Sequence, residues 1–385
     1  VKVKGKWYDI DEDGIICLNS GETASRQPAR AVSPTARAAA ASATPQASGP
    51  RQTSTPTARS RTPSVPPQRS LRAVASIPLR GSQTVRLAVN PVTNRVYGAD
   101  PGNDVLWVID GEKNTVVSTI PFDSDPLDVA VNSVTNRVYV LTYSDVRVID
   151  GETGRIVTRI QVCKWPVSIQ SGIAVDERSD RVYVAHSGCG ALIIVDGSRN
   201  VVIGEIALHG GTIHGLAVNP VSSRVYVTQN RPGYPSMDLV YVIDGATGAI
   251  VTTMEWEPFV DRRKGYVRSV AVNPSTNKAY VARGGDYNQN GIIVFDEATG
   301  RTVERDVSGA DAIVVDRARN RVYSVSRSGT LEILNGATNS LIGYGNTGVR
   351  ITEASLNFVT VNFVTGRIYL TDGRTVSVFE DDLPD

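Results

Sequence analysis

Four polar residues share one register of a repeated segment, and their types suit acid–base or anion-binding work: His214, Arg268, Asp311 and Asn357. Counting back two positions from the apolar residue that opens each Leu-Ala-Val-type segment gives Val85, Leu127, Ser171, His214, Arg268, Asp311 and Asn357 in turn. An imidazole, a guanidinium, a carboxylate and an amide around one concave mouth can hold a polar ligand or move a proton. Polar side chains at such a mouth also serve solvation alone, and both readings stay open. A second group is aromatic and basic: Tyr234, Trp256, Phe259, Arg262, Arg263, Lys264, Tyr266 and Tyr287 lie in or beside long inter-repeat segments. Aromatic and arginine side chains are the usual anchors of macromolecular interfaces.

Two further clusters are weaker. Cys163 and Cys189 fall in neighbouring loops near His186, His209 and His214, an arrangement compatible with a disulfide, and their spacing follows no zinc pattern. Asp9, Asp11 and Asp13 have calcium-loop spacing with Gly14 at the bend, but Ser20 stands where a bidentate acid belongs. A β-hairpin with strands over 6–10 and 15–18, turning at Asp13-Gly14, is the preferred reading there. The chain has no Walker loop, no His-Glu-x-x-His and no Gly-x-Ser-x-Gly. A non-catalytic role is therefore favoured over an enzyme, and no cofactor or metal is expected.

The elements that must position these residues come from a repeat. The phrase Asn90-Pro-Val-Thr-Asn-Arg-Val-Tyr97 returns six more times, ending at Tyr139, Tyr183, Tyr226, Tyr280, Tyr323 and Tyr369, at spacings of 42, 44, 43, 54, 43 and 46. A second phrase, Val108-Ile-Asp-Gly111, follows each and degrades to Val294-Phe-Asp-Glu297, Ile333-Leu-Asn-Gly336 and Val378-Phe-Glu-Asp381. Each unit reads as four short strands joined by Asn/Pro and Asp/Gly turns. Such a unit cannot bury its faces alone and must stack on neighbours, which predicts an all-β seven-bladed β-propeller. The last unit lacks a fourth strand, and Leu71-Arg-Ala-Val-Ala-Ser-Ile-Pro78 has the matching pattern, so the N-terminal strand is expected to close the last blade. The repeat tyrosines are expected between blades, with their hydroxyls on backbone partners.

The 54-residue spacing puts its surplus in the segments 229–237 and 256–268, beside a third long segment at 283–290. In a ring these share the face that carries the connections between strands two and three and between blades, here called the upper face. Loops elaborated on one face of a rigid scaffold are where binding concentrates.

Around the ring, 1–23 reads as a short N-terminal segment and 24–70 as a disordered Arg/Pro/Ala/Ser/Thr-rich linker. The propeller occupies 71–385. Residues 24–69 carry seven Arg and no acid, which leaves the chain from residue 70 onward at about −4. A broadly nucleic-acid-binding ring surface is therefore disfavoured. No run of 18 apolar residues exists, and the acidic N-terminal residues do not read as a signal peptide.

The two phrases resemble the YVTN-repeat β-propellers, in the lactonase-like propeller superfamily. The resemblance covers 72–385, with blades six and seven departing most at Asn335 and Glu380. It implies a binding scaffold, often outside the cytoplasm, that presents the upper face of blades three to five to a protein, polysaccharide or nucleic-acid partner, as a monomer. The alternative it implies is a lactonase- or lyase-like enzyme acting at the channel mouth. Compartment stays open.

Overall fold

The computed structural model describes residues 2–3, 6–7, 9–10, 16–17, 68–69, 71–80, 85–163, 171–208, 210–231, 237–256, 266–284, 291–307, 310–350 and 358–384. The chain divides into two units, Val1–Arg61 and Thr62–Asp385. In the first, Lys2–Val3 pairs with Lys6–Trp7, and Asp9–Ile10 pairs antiparallel with Ile16–Cys17. Asp11 and Asp13 lie outside the described residues.

The second unit is a seven-bladed propeller of antiparallel sheets, lettered a to d from the axis outward. Blade one runs Arg86–Asn90, Arg95–Asp100, Val105–Asp110 and Thr115–Pro121. Innermost strands touch in succession around the axis, the last against the first. Blade seven takes strands a to c from the C-terminal end and strand d from Leu71–Pro78, paired antiparallel with Thr375–Asp381. The cluster beneath joins Ile77, Leu79 and Val376 to Val85, Leu87 and Val96, so the closing strand is packed as well as bonded. Gln68–Arg69 adds a short parallel pairing on Gly343–Tyr344 of blade six, within the segment read from sequence as linker.

The repeated phrases hold neighbouring blades together on the lower face. Each repeat tyrosine is buried and reaches the c–d turn of the next blade. Tyr183 and Tyr280 donate to the carbonyls of Gly245 and Gly336 at 3.1 and 3.0 Å. Where the turn glycine is replaced, the hydroxyl finds a carboxylate instead: Tyr226 donates to Glu297 at 2.7 Å and Tyr323 to Asp381 at 2.5 Å. Burial first, then these acids, pushes both hydroxyl pKa values well up. At the other turns glycine is required by space, since a Cβ on Gly197 or Gly245 would lie 2.7 or 2.4 Å from the tyrosine oxygen.

A second set of bonds runs parallel to this one. The Asn closing strand a donates its amide to the left-handed residue of the next blade's a–b turn. The pairs are Asn90–Asn136, Asn132–Asp180, Asn219–Asn277, Asn273–Asn320 and Asn362–Asn94, at 2.6–3.0 Å. The two remaining junctions carry Asp176 facing Ser223 and Asp316 facing Gly366. A carboxylate cannot donate, and neither partner offers an amide oxygen.

Candidate functional site at the upper channel mouth

Three of the four predicted channel-mouth residues gather over blades four to six. His214 sits at a bulge in strand a of blade four, between the pairs Ile213–Gln229 and Gly215–Thr228. The bulge is tight, because a Cβ on Gly215 would lie 2.8 Å from the Thr228 hydroxyl and 3.0 Å from the Val270 amide. Burial lowers the His214 pKa to about 4, and the Arg268 guanidinium adds to the effect. The imidazole is therefore neutral at pH 7.

Arg268 lies on the next inner strand, with its Nε 3.8 Å from Asp311. Asp311 also meets the Nε of Arg327 at 3.3 Å and accepts the Arg327 amide at 2.9 Å. Asp311 is thus held by two guanidiniums, and among the described residues His214 makes no hydrogen bond to a carboxylate. Asn357 lies outside the described residues.

The other members of that register differ in environment. Val85 is buried in the apolar cluster shared by blades seven and one, Leu127 is buried as well, and Ser171 is fully buried, so none of the three is open at the mouth. The polar group on that side comes from one residue further along the strand. Arg86 donates to the Ser171 carbonyl at 2.6 Å and lies 3.7 Å from Asp128, which accepts the Ile173 amide at 3.1 Å. One arginine thereby spans blades one to three. Burial lowers its pKa, opposed by Asp128. The sequence signal was an Arg and an Asp at equivalent strand-a positions 42 residues apart, where other blades have Gly, Ser, Ala or Phe.

Strand b adds more. In four blades the residue five after the repeat Arg caps its b–c loop through an oxygen: Asp100 accepts the Gly102 amide, Thr142 that of Asp145, Ser326 that of Thr330, and Asp372 those of Arg374 and Thr375. In blade four this residue is Gln229, fully buried with neither end of its amide hydrogen-bonded. Nearby, Asp238 accepts from Asn230 at 2.9 Å and from the Val267 amide at 3.1 Å. Burial still raises its pKa overall.

The blade-four hairpin is longer than its neighbours. Arg224–Arg231 pairs with Met237–Asp244 through Arg231–Met237, so Gln229 to Arg231 and Met237 belong to strands rather than to the predicted loop. Trp256 likewise ends strand d and Tyr266 begins the next strand a; ladder bonds extend into the surplus. Tyr234, Phe259, Arg262, Arg263, Lys264 and Tyr287 lie outside the described residues, as do the side chains of Trp256 and Tyr266.

On the same face Cys163 and Cys189 are joined as a disulfide, with Cα atoms 6.6 Å apart. The lower mouth is different. Glu177 of blade three and Arg317 of blade six meet there at 3.3 Å, with Ser133 donating to Glu177 and Arg317 stacked on Phe363.

No family model and no curated protein matches the sequence. Among solved structures, Kuenenia stuttgartiensis hydrazine synthase is similar, with a TM-score of 0.64 over 78% of this chain and 96% of that one, at 15% identity. At that identity the similarity is one of fold.

Proposed function

We propose that this chain is a non-catalytic binding propeller of the YVTN-repeat kind, presenting the upper face of blades three to five to a macromolecular partner: a protein, a polysaccharide or a nucleic acid. The observation that carries the reading is the extended blade-four hairpin, whose ladder runs out to the Arg231–Met237 pair, further than the matching hairpins of blades three and five. The Glu177–Arg317 pair across the lower mouth supports the same side. Surfaces built from aromatics and arginines on a rigid frame bind through a few anchors.

The test is capture of partners by the full chain and by its Trp256→Ala and Arg263→Ala variants. Partners retained by the parent and lost by at least one variant support the reading; capture unaffected by both sinks it.

A second reading follows from one observation, the neutral His214 beside Arg268 and Asp311. An imidazole free to accept a proton next to a guanidinium is the pair a lactonase- or lyase-like enzyme needs to take a proton and hold an oxyanion. In that case His214→Ala abolishes lactone hydrolysis or elimination while partner capture survives. The acceptors on Asp311 are already engaged, which places this reading second.

A further inference from the structure

His186 stands where Asp100, Thr142, Ser326 and Asp372 cap their b–c loops through an oxygen. Its Nδ1 accepts the Cys189 amide at 3.1 Å, doing the cap's work, which places the ring proton on Nε2. The side chain is fully buried and Nε2 has no hydrogen-bond partner. The Tyr143 backbone attracts the ring without closing a bond of ordinary geometry to Nε2, and burial dominates, pushing the pKa down. A hydroxyl would cap this loop, as Thr142 and Ser326 cap theirs, without a second ring nitrogen in the core. The imidazole sits beside both sulfurs instead: a ring nitrogen of His186 and the Sγ atoms of Cys163 and Cys189 all lie within 4.8 Å of one another.

We propose that Cys163, His186 and Cys189 form a redox-gated site for a thiophilic d10 cation, closed as a disulfide and open as two thiolates and an imidazole. The ligands suit the class, since thiolates select Cu(I) and Zn2+ and imidazole accepts both. His186 offers Nδ1, whose lone pair already faces the Cys189 backbone, and keeps its proton on Nε2, with the Tyr143 backbone near the ring as the group that could serve as its outer-shell partner. The Cys189 amide must give up Nδ1 when the cation enters, so metal affinity and the 187–190 turn are linked.

A dithiol reductant opens the site by exchange. Its first thiolate attacks Sγ of Cys189, the less buried sulfur, and Cys163 leaves as a thiolate. The reductant's second thiolate then attacks its own sulfur in the mixed disulfide and releases Cys189. The protein gains two electrons and two protons, the reductant becomes a cyclic disulfide, and the entering cation displaces the two protons.

The test uses the full chain with Cys17→Ser, which removes the remaining thiol. The oxidised and phosphine-reduced forms are titrated with Zn2+, and with Cu(I) buffered by a chromophoric chelator. Circular dichroism follows the fold, and Co2+ reports sulfur ligation through its thiolate charge-transfer band. One equivalent of either cation bound only after reduction is expected, weakened at least about 100-fold by Cys189→Ser and by His186→Gln. A reduced chain that binds no equivalent, that unfolds, or that binds equally well without Cys189 or His186 overturns the proposal.

Discussion

Replacing Ile77 by Ala probes ring closure at one side chain. Ile77 belongs to the N-terminal strand, pairs with Val376 and is 2% exposed. It touches a cluster drawn from blades seven and one, including Val85, Leu87, Val96 and Val378. Truncating a buried isoleucine to alanine costs about 2–5 kcal/mol, more where the walls cannot collapse. Here the walls belong to two sheets fixed by their own ladders, so about 3–4 kcal/mol is expected. At about 2 °C per kcal/mol for a domain of this size, the melting temperature falls by about 6–8 °C.

The control is Val157→Ala on strand d of blade two, where the side chain is half exposed and the cost stays within about 0.5 kcal/mol. Thermal unfolding of parent, variant and control by circular dichroism measures all three. A chain beginning at residue 82 extends the test, because it leaves Thr375–Asp381 as an open edge and loses the Leu79–Arg374 bond as well. Equal melting of Ile77→Ala and Val157→Ala, or a truncated chain that melts with the parent, would refute the account of closure.

Gly245→Ala places a Cβ 2.4 Å from the Tyr183 hydroxyl and 2.7 Å from the Ser223 carbonyl, and is expected to cost about 1–3 kcal/mol in urea unfolding. Adding Tyr183→Phe should recover part of that cost, and no recovery would show that the hydroxyl is not the obstacle. His214 has a folded pKa of about 4 against an ordinary 6.5, so the unfolded chain binds more protons between those values. Its contribution is whole above pH 6.5 and is lost as the pH falls towards 4, on the order of 3 kcal/mol in all. The melting temperature of the parent should therefore drop relative to His214→Gln between pH 7 and pH 4.5, and parallel curves would count against a buried neutral imidazole. Asp176→Asn with Ser223→Asn should restore the missing amide bond between blades three and four. The double variant is expected to exceed the sum of the singles by about 1 kcal/mol in a double-mutant cycle, whereas additivity would mean the gap is not a missing bond.

What the sequence made legible was whatever all seven units share. Tyr positions, turn residues and the stray strand at Leu71–Pro78 repeat, so their partners could be inferred by counting. The exceptions were harder to read. The tyrosines were expected on backbone acceptors, yet Tyr226 and Tyr323 use Glu297 and Asp381, the same residues whose presence made blades five and seven look degenerate. Arg86 was harder to read as a site residue because its partners lie 42 and 85 positions away, and its one signal, an Arg and an Asp at equivalent strand-a positions, gains meaning only when the closed ring brings Asp128 and Ser171 to it. The long loops of blade four were overestimated for a simpler reason: a hairpin continues as ladder for as long as both chains run extended.

The two gaps in the amide ring fall in the blades that close the lower mouth. Asp176 precedes Glu177 and Asp316 precedes Arg317, and these two neighbours span the axis from blade three to blade six. Each of these Asp side chains keeps the bond to its own turn that the Asn side chains also accept, Asp176 from the Arg178 amide and Asp316 from those of Ala318 and Arg319, and lacks only the donated bond to the next blade. Other bonds tie these turns to neighbouring blades: Ser133 of blade two donates to Glu177, and Arg319 of blade six donates to the Phe363 carbonyl of blade seven. The ion pair is partly exposed and worth little as stability, on the order of 1 kcal/mol or less. Its consequence is steric: with Phe363 under Arg317 and Ser133 on Glu177, the lower opening is occupied by side chains that answer to one another.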